Sequence, residues 1–168
     1  MNDITNPSLG TSVDAALLQR VERLQTDYVN TIDEERYRDL PDFFTESGCY
    51  RIISKENHQR KRPFGLVFCD SRAMLRDRIV SMQKANIYEP HTYRHLTGRT
   101  VATLGTDGTL EARTSFMVAR IMHDGTQDLF STGVYHDRIV EEAGTLRFAE
   151  KLVVTDSSRV DALLVIPL

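Results

Sequence analysis

Three tight-turn signals in the second half of the chain dictate most of what it can fold into: Gly105-Thr106-Asp107-Gly108, His123-Asp124-Gly125-Thr126 and Glu142-Ala143-Gly144-Thr145. Asp-Gly supplies the positive φ angles that tight hairpins need. Between these turns lie four runs with strand character, roughly 92–104, 109–122, 127–141 and 145–156. Each is far longer than the usual strand of about five or six residues. Long antiparallel strands twist strongly, so a meander of this length has to curl.

The first half reads differently. Thr11 or Ser12 is placed to cap a helix running to about Asn30, with Leu17, Val21, Leu24 and Tyr28 as its apolar stripe. A short helix over Asp33 to Leu40 ends at Pro41. An apolar anchor, Asp42-Phe43-Phe44, leads to a strand over Cys49 to Ser54, and residues 55–69 read as a loop carrying Arg60-Lys61-Arg62. Ser71 opens a third helix to about Lys84, with Met74, Leu75, Ile79 and Met82 buried. Helices first and a curled meander later predict an α+β fold, cone-like, with a mostly antiparallel sheet enclosing the N-terminal helices. The 168 residues suit one domain, residues 12–168, behind a flexible tail over residues 1–11.

Two apolar surfaces point to assembly. In the run 109–122, Phe116, Val118 and Met122 share one face, and Met117, Ala119 and Ile121 the other. A strand apolar on both faces wants cover on both, and the helices cover only one. The terminal run Leu163-Leu164-Val165-Ile166-Pro167-Leu168 is also apolar, where chain ends are usually polar. An oligomer buries both surfaces; alternatively the tail adds a strand to its own sheet. By contrast, Leu146, Phe148, Leu152 and Val154 read as the buried face of the last strand, with Arg147 and Lys151 on the other.

Charge and motifs exclude several function classes. The formal net charge of -3 offers no field for nucleic acid or an acidic membrane. No apolar run reaches the roughly 18 residues of a membrane span, and the polar start lacks a signal-peptide pattern, so a cytoplasmic protein is expected. Cys49 and Cys69 then read as free thiols. His91 and His95 have the i, i+4 spacing that pairs imidazoles on a helix, but Pro90 and the β-like run place them on a strand, roughly 13 Å apart. They cannot hold one ion. One is expected to be a buried hydrogen-bonding histidine and the other a surface one. No zinc, Rieske or 2-His-1-carboxylate ligand set is legible, and no nucleophile elbow or phosphate-binding glycine loop occurs. No catalytic, cofactor-binding or metal residue is therefore assigned. A pocket lined by Asp33, Tyr50, His91, Tyr93 and His95 stays open as the alternative, an Asp–His pair with a tyrosine donor suiting dehydration or isomerisation.

Several segments carry a family likeness. They are Asp42-Phe43-Phe44-Thr45 leading to Tyr50-Arg51; Asp70-Ser71-Arg72-Ala73-Met74-Leu75-Arg76-Asp77-Arg78-Ile79; Ala85-Asn86-Ile87-Tyr88-Glu89-Pro90-His91-Thr92-Tyr93-Arg94-His95 with Leu96-Thr97-Gly98; Ser115-Phe116-Met117-Val118-Ala119-Arg120-Ile121-Met122; and Ile166-Pro167-Leu168. Together they resemble the small (beta) subunits of bacterial aromatic-ring-hydroxylating dioxygenases, most of all those acting on aromatic carboxylates such as terephthalate, salicylate, anthranilate or halobenzoate. Many relatives carry Trp where this chain has Leu40. The resemblance implies a cone fold similar to nuclear transport factor 2 and scytalone dehydratase, and a non-catalytic structural role. It implies three small subunits joined to three large ones, small–small contacts included. The large subunit carries the Rieske [2Fe-2S] cluster and the mononuclear non-haem iron, with electrons from NAD(P)H. A free-standing dehydratase or isomerase, or a small-ligand-binding module, of the same fold is the alternative. Residues expected at the subunit interface are Tyr88, Glu89, His91, Tyr93, Arg94 and His95, from an aromatic and charged stretch without catalytic geometry, and Ile166 and Leu168 from the tail.

Overall fold

The structure, a computed structural model, describes residues 11–62, 65–85, 89–158 and 166–168. The elements in chain order are β1 (Thr11–Ser12), α1 (Ala15–Asp33), a 3-10 helix (Tyr37–Phe43), β2 (Phe44–Ser54), α2 (Lys55–Gln59), β3 (Val67–Cys69), α3 (Arg72–Ala85), β4 (His91–Leu104), β5 (Leu110–Met122), β6 (Gln127–Glu142) and β7 (Thr145–Thr155). All strands join one sheet in the order β1-β4-β5-β6-β7-β2-β3, antiparallel except for the β2–β7 pair. This is the expected α+β architecture, a curled sheet with the helices against one face.

The four long strands follow from their turns. Gly108, Gly125 and Gly144 have φ of 79°, 86° and 82°, and Ala143 joins Gly144 at 49°, so both residues of the last turn are left-handed. That geometry matches the twist of the flanking strands and closes the tight β6–β7 hairpin.

The N-terminal half departs from expectation in several places. Asp14, not Thr11 or Ser12, caps α1: its carboxylate accepts from Leu17 N at 2.7 Å. Thr11 and Ser12 pair instead with Leu104 and Thr103, so residue 11 is not part of a free tail. Helix α1 runs on through Asp33, and the segment expected as a second helix is a 3-10 turn around Pro41, whose missing N–H forbids a regular helix there. The stretch read as a 55–69 loop holds α2 and β3, the latter pairing with β2. Met74 is exposed, and Leu75, Ile79 and Met82 form the buried stripe of α3 among the described residues.

One core fills the concave side. It joins Val21, Tyr28 and Ile32 of α1, Leu75 and Ile79 of α3, Phe44, Tyr50 and Ile52 of β2, and Phe116, Tyr135, Ile139 and Phe148 of the meander. A β-bulge decides what β7 contributes to it. Arg138 pairs with Glu150 and the next residue, Ile139, with Phe148, so Ala149 is supernumerary. The extra residue inverts the alternation beyond it. Phe148 and Lys151 therefore both point inward, the reverse of the outward Lys151 expected from strict alternation.

Candidate functional site

Among the described residues, two buried clusters of ionisable groups lie in the interior. The first joins the end of α1 to β4. Asp33, the last residue of α1, accepts from the backbone N–H of His95 at 2.9 Å and bonds His95 Nδ1 at 2.6 Å. The side chains are 3% and 0% exposed. The Arg94 guanidinium lies 3.8 Å from the same carboxylate. His95 Nε2 is buried without a hydrogen-bond partner. The Asp–His pair held open by the sequence thus exists, but Tyr50 and His91 do not join it. Asp33 ties a helix end to the N-terminal part of β4, beyond the reach of the short strand β1. Replacing Asp33 with alanine strands two buried donors and should cost about 2–4 kcal/mol in denaturant unfolding. A loss below about 0.5 kcal/mol would mean the pair bears no structural load.

The second cluster was not anticipated. Lys151 Nζ donates to Gln25 Oε1 at 2.9 Å and lies 3.3 Å from Asp137 Oδ2, while Gln25 Nε2 donates to Asp137. Lys151 and Asp137 side chains are both 0% exposed. Three rings surround the amine, with centroids at 3.9 Å for Tyr135 and 4.4 Å for both Tyr28 and Phe148. Burial pushes the Lys151 amine down to about 8, against the pull of Asp137. Burial likewise pushes the Asp137 carboxyl up, opposed by Lys151 and Gln25. A signal was available in the sequence: Gln25 sits four residues after Val21 and three before Tyr28, in phase with the apolar stripe, and Asp137 alternates with Tyr135 and Ile139.

Beside this cluster lies the end of the sequence. Ile166 and Leu168 are each 1% exposed. Tyr28 OH and Tyr50 OH both donate to the Leu168 main-chain oxygen, at 3.0 and 3.2 Å, and Leu168 N donates to Tyr50 OH at 3.0 Å. Residues 166–168 are neither an added strand nor an exposed apolar surface, because their own chain buries them; residues 163–165 lie outside the described residues. Ile166 and Leu168 therefore have no free surface to offer a partner.

The remaining interface candidates separate by burial. Tyr88 lies outside the described residues. Glu89 and Arg94 are exposed and His91 is half-buried, its Nδ1 bonded to Glu89 O at 2.8 Å. Tyr93 and His95 face the core, Tyr93 stacking on Phe130 at 5.1 Å. The outer face of the sheet does carry the uncovered apolar surface expected of it. Leu96, Val101 and Met117 are 58%, 67% and 41% exposed. A shallow groove of about 460 Å³ runs there between Leu96, Met117, Thr132 and Val134.

Cys49 and Cys69 are free, and burial pushes Cys49 up to about 11, leaving little thiolate at neutral pH. Among the described residues no group of three or more His, Cys, Asp or Glu side chains is arranged to hold a metal ion. Nor is any described helix long and apolar enough to cross a membrane.

Comparison with known proteins places this geometry. The SnoaL-like domain matches residues 15–151. The small subunit of anthranilate 1,2-dioxygenase from Burkholderia cepacia is 38% identical over 145 residues, covering 86% of this chain and 90% of that one. Subunit beta 1 of the terminal oxygenase component of terephthalate 1,2-dioxygenase from Comamonas sp. is 40% identical over 141 residues, covering 84% and 92%. A crystal structure from Novosphingobium aromaticivorans, described as a beta subunit of an aromatic-ring-hydroxylating dioxygenase, superposes with a TM-score of 0.83 at 30% identity, covering 91% of this chain and 97% of that one. The cone, its curled sheet and its near-full-length likeness to these subunits agree: this chain belongs to the small subunits of the aromatic-ring-hydroxylating dioxygenases, built on a SnoaL-like domain.

Proposed function

We propose that the chain is a non-catalytic assembly subunit of an oxygenase that hydroxylates an aromatic carboxylate in the cytoplasm. Its partner is a large subunit carrying the Rieske [2Fe-2S] cluster and the mononuclear iron, in a particle of three large and three small subunits with small–small contacts. The observation that carries this reading is the likeness to the anthranilate and terephthalate dioxygenase subunits over at least 84% of the chain. The apolar outer face supports it, since an exposed patch of this kind marks an interaction surface. Within the stretch from residue 89 to residue 95, the exposed Glu89 and Arg94 and the half-buried His91 are the interface candidates that keep surface toward a partner.

Co-expression with the neighbouring large-subunit gene tests the proposal: an iron-containing complex should co-purify. Met117→Arg, on the outer face, should leave the isolated chain within about 0.5 kcal/mol of wild type yet remove it from the complex on size-exclusion chromatography. A complex that assembles normally with this variant would rule out that face as an interface.

The Asp33–His95 pair favours a second reading, proton transfer by this chain itself on a small ligand, because His95 Nε2 is a spare polar atom in the interior. The two separate cleanly. His95→Asn in the purified complex should leave ring hydroxylation intact under the first reading and abolish turnover of any substrate the chain converts alone under the second.

A further inference from the structure

His58 and His136 meet on the outer face of the sheet, away from the core. His136 lies on β6 between Tyr135 and Asp137, both buried, so strand alternation turns its ring outward. Ser54 caps α2 by accepting from Asn57 N, and the turn of helix that follows lays His58 over His136. The ring centroids are 5.4 Å apart and the planes are tilted by 34°. Both residues are half-buried. Among the described residues neither imidazole has a hydrogen-bond partner.

That separation suits two ligands of one ion. A metal ion takes an imidazole nitrogen at about 2.1 Å, which puts the ring centroid about 3.2 Å from the ion. Two rings on one tetrahedral centre then have centroids about 5.2 Å apart, close to the 5.4 Å found here. The protonation state fits as well. Burial first, then the charges of His58 and Arg113, hold the His136 imidazole below its usual range, so at neutral pH it offers the lone pair that a metal requires. Arg113, exposed and directly across the ladder from His136, also repels a cation, so the affinity is moderate. Glu56 of α2 is engaged by Arg60 at 3.1 Å, and no third side chain joins the pair among the described residues. Water completes the coordination.

We infer that His58 and His136 form a two-imidazole site for one divalent transition-metal ion of the kind imidazole prefers, Zn2+, Ni2+ or Cu2+, and that the ion pins α2 to the outer face of the sheet. The helix has little else to fix it. None of its residues is buried. The Lys55–Asp156 pair, which ties its start to the residue after β7, spans 3.7 Å between exposed groups, and such surface pairs contribute little. An ion shared by α2 and β6 joins two elements that are far apart in sequence and binds the folded chain alone, so it stabilises by mass action. This inference is independent of the large subunit and its iron centres, and stands or falls without them.

The test uses the full-length chain, free of any histidine tag, with Ni2+ alone as the probe. At about 0.5 mM and neutral pH the ion should raise the thermal midpoint by about 2 °C or more. Mg2+ at the same concentration, an ion that prefers oxygen ligands, should shift it by less than about 0.5 °C. His58→Gln and His136→Gln should each remove the Ni2+ shift, whereas His91→Gln should keep it. If His136→Gln fails to fold, His58→Gln decides alone, because its side chain lies on a helix with no buried residue. Acidification to about pH 5.5 should also reduce the shift at least threefold, since protons compete for the two imidazoles. No shift with Ni2+, an equal shift with Mg2+, a shift that survives His58→Gln, or one indifferent to acid each overturns the site.

Discussion

Replacing Lys151 with methionine should cost about 3–5 kcal/mol of unfolding free energy, because it leaves the Asp137 carboxylate buried without its cation. The loss is large beside the roughly 5–15 kcal/mol of a typical domain. Asp137 keeps the Gln25 amide, but Gln25 loses the donor to its own Oε1. Changing both ends together, Lys151→Met with Asp137→Leu, should recover most of the loss, since a buried pair exchanged for apolar side chains of similar volume is often neutral or better. A double variant no more stable than the single one would show that the cage needs a cation for more than neutralising Asp137.

The same pair makes a pH prediction with a defined sign. The folded amine releases its proton near 8, against 10.5 for an unperturbed lysine. Between those values the unfolded chain binds the extra proton, so this group makes stability rise with pH across that window. The tyrosines Tyr28 and Tyr135 act oppositely. Burial raises both well above 10, so their contribution falls away as pH climbs through the unfolded-tyrosine range. Comparing wild type with Lys151→Met by chemical denaturation at several pH values from 7 to 10 largely cancels the tyrosine part. The difference between the two proteins should widen from about pH 8 upward. A difference that stays flat would mean the lysine is not held in a desolvated place.

Phe148→Ala should be of similar weight, about 3–5 kcal/mol, the usual cost of deleting a fully buried aromatic side chain. Phe148 is 0% exposed and sits where α1, β2 and the Lys151 amine meet. It meets Tyr28 edge-on at 5.6 Å, lies 5.4 Å from Phe44 and caps the Lys151 amine. Its removal takes away aromatic pairing as well as area, and opens one wall of the lysine cage. Water entering there should relieve the burial that depresses the amine, so the pH dependence described for Lys151 should shrink in this variant. Phe148→Leu keeps most of the volume and should cost under about 1.5 kcal/mol if the core can repack. Denaturant midpoints of the two variants measure both effects. Near-equal losses would mean that the specific aromatic geometry, not the filled volume, sets the stability.

How much of this was written locally in the chain differs from element to element. The Asp-Gly and Ala-Gly turns and the long alternating runs between them made the meander and its curl legible, because positive-φ turns and period-two patterns need only neighbouring residues. The capping of α1 was misplaced by two or three residues, because several residues near its start can cap a helix and only the folded chain selects Asp14. The short strand β3 was missed because three residues carry too little pattern to be seen, and its existence depends on the open edge of β2. Family membership was legible from motifs spread along the whole chain.

The interior was another matter. Gln25, Asp137 and Lys151 come from α1, β6 and β7, and Asp33 and His95 are 62 residues apart. The inward turn of Lys151 rests on one extra residue, Ala149, whose position is set by register against β6 and β2. The apolar tail read as a surface for a partner because its composition shows only that it must be buried, not by what. By itself, then, the sequence determined the turns, the curled sheet with its helices, and the family. The tertiary structure decided which polar groups meet inside and where the tail goes, because strand register, bulges and burial depend on neighbours that are distant along the chain.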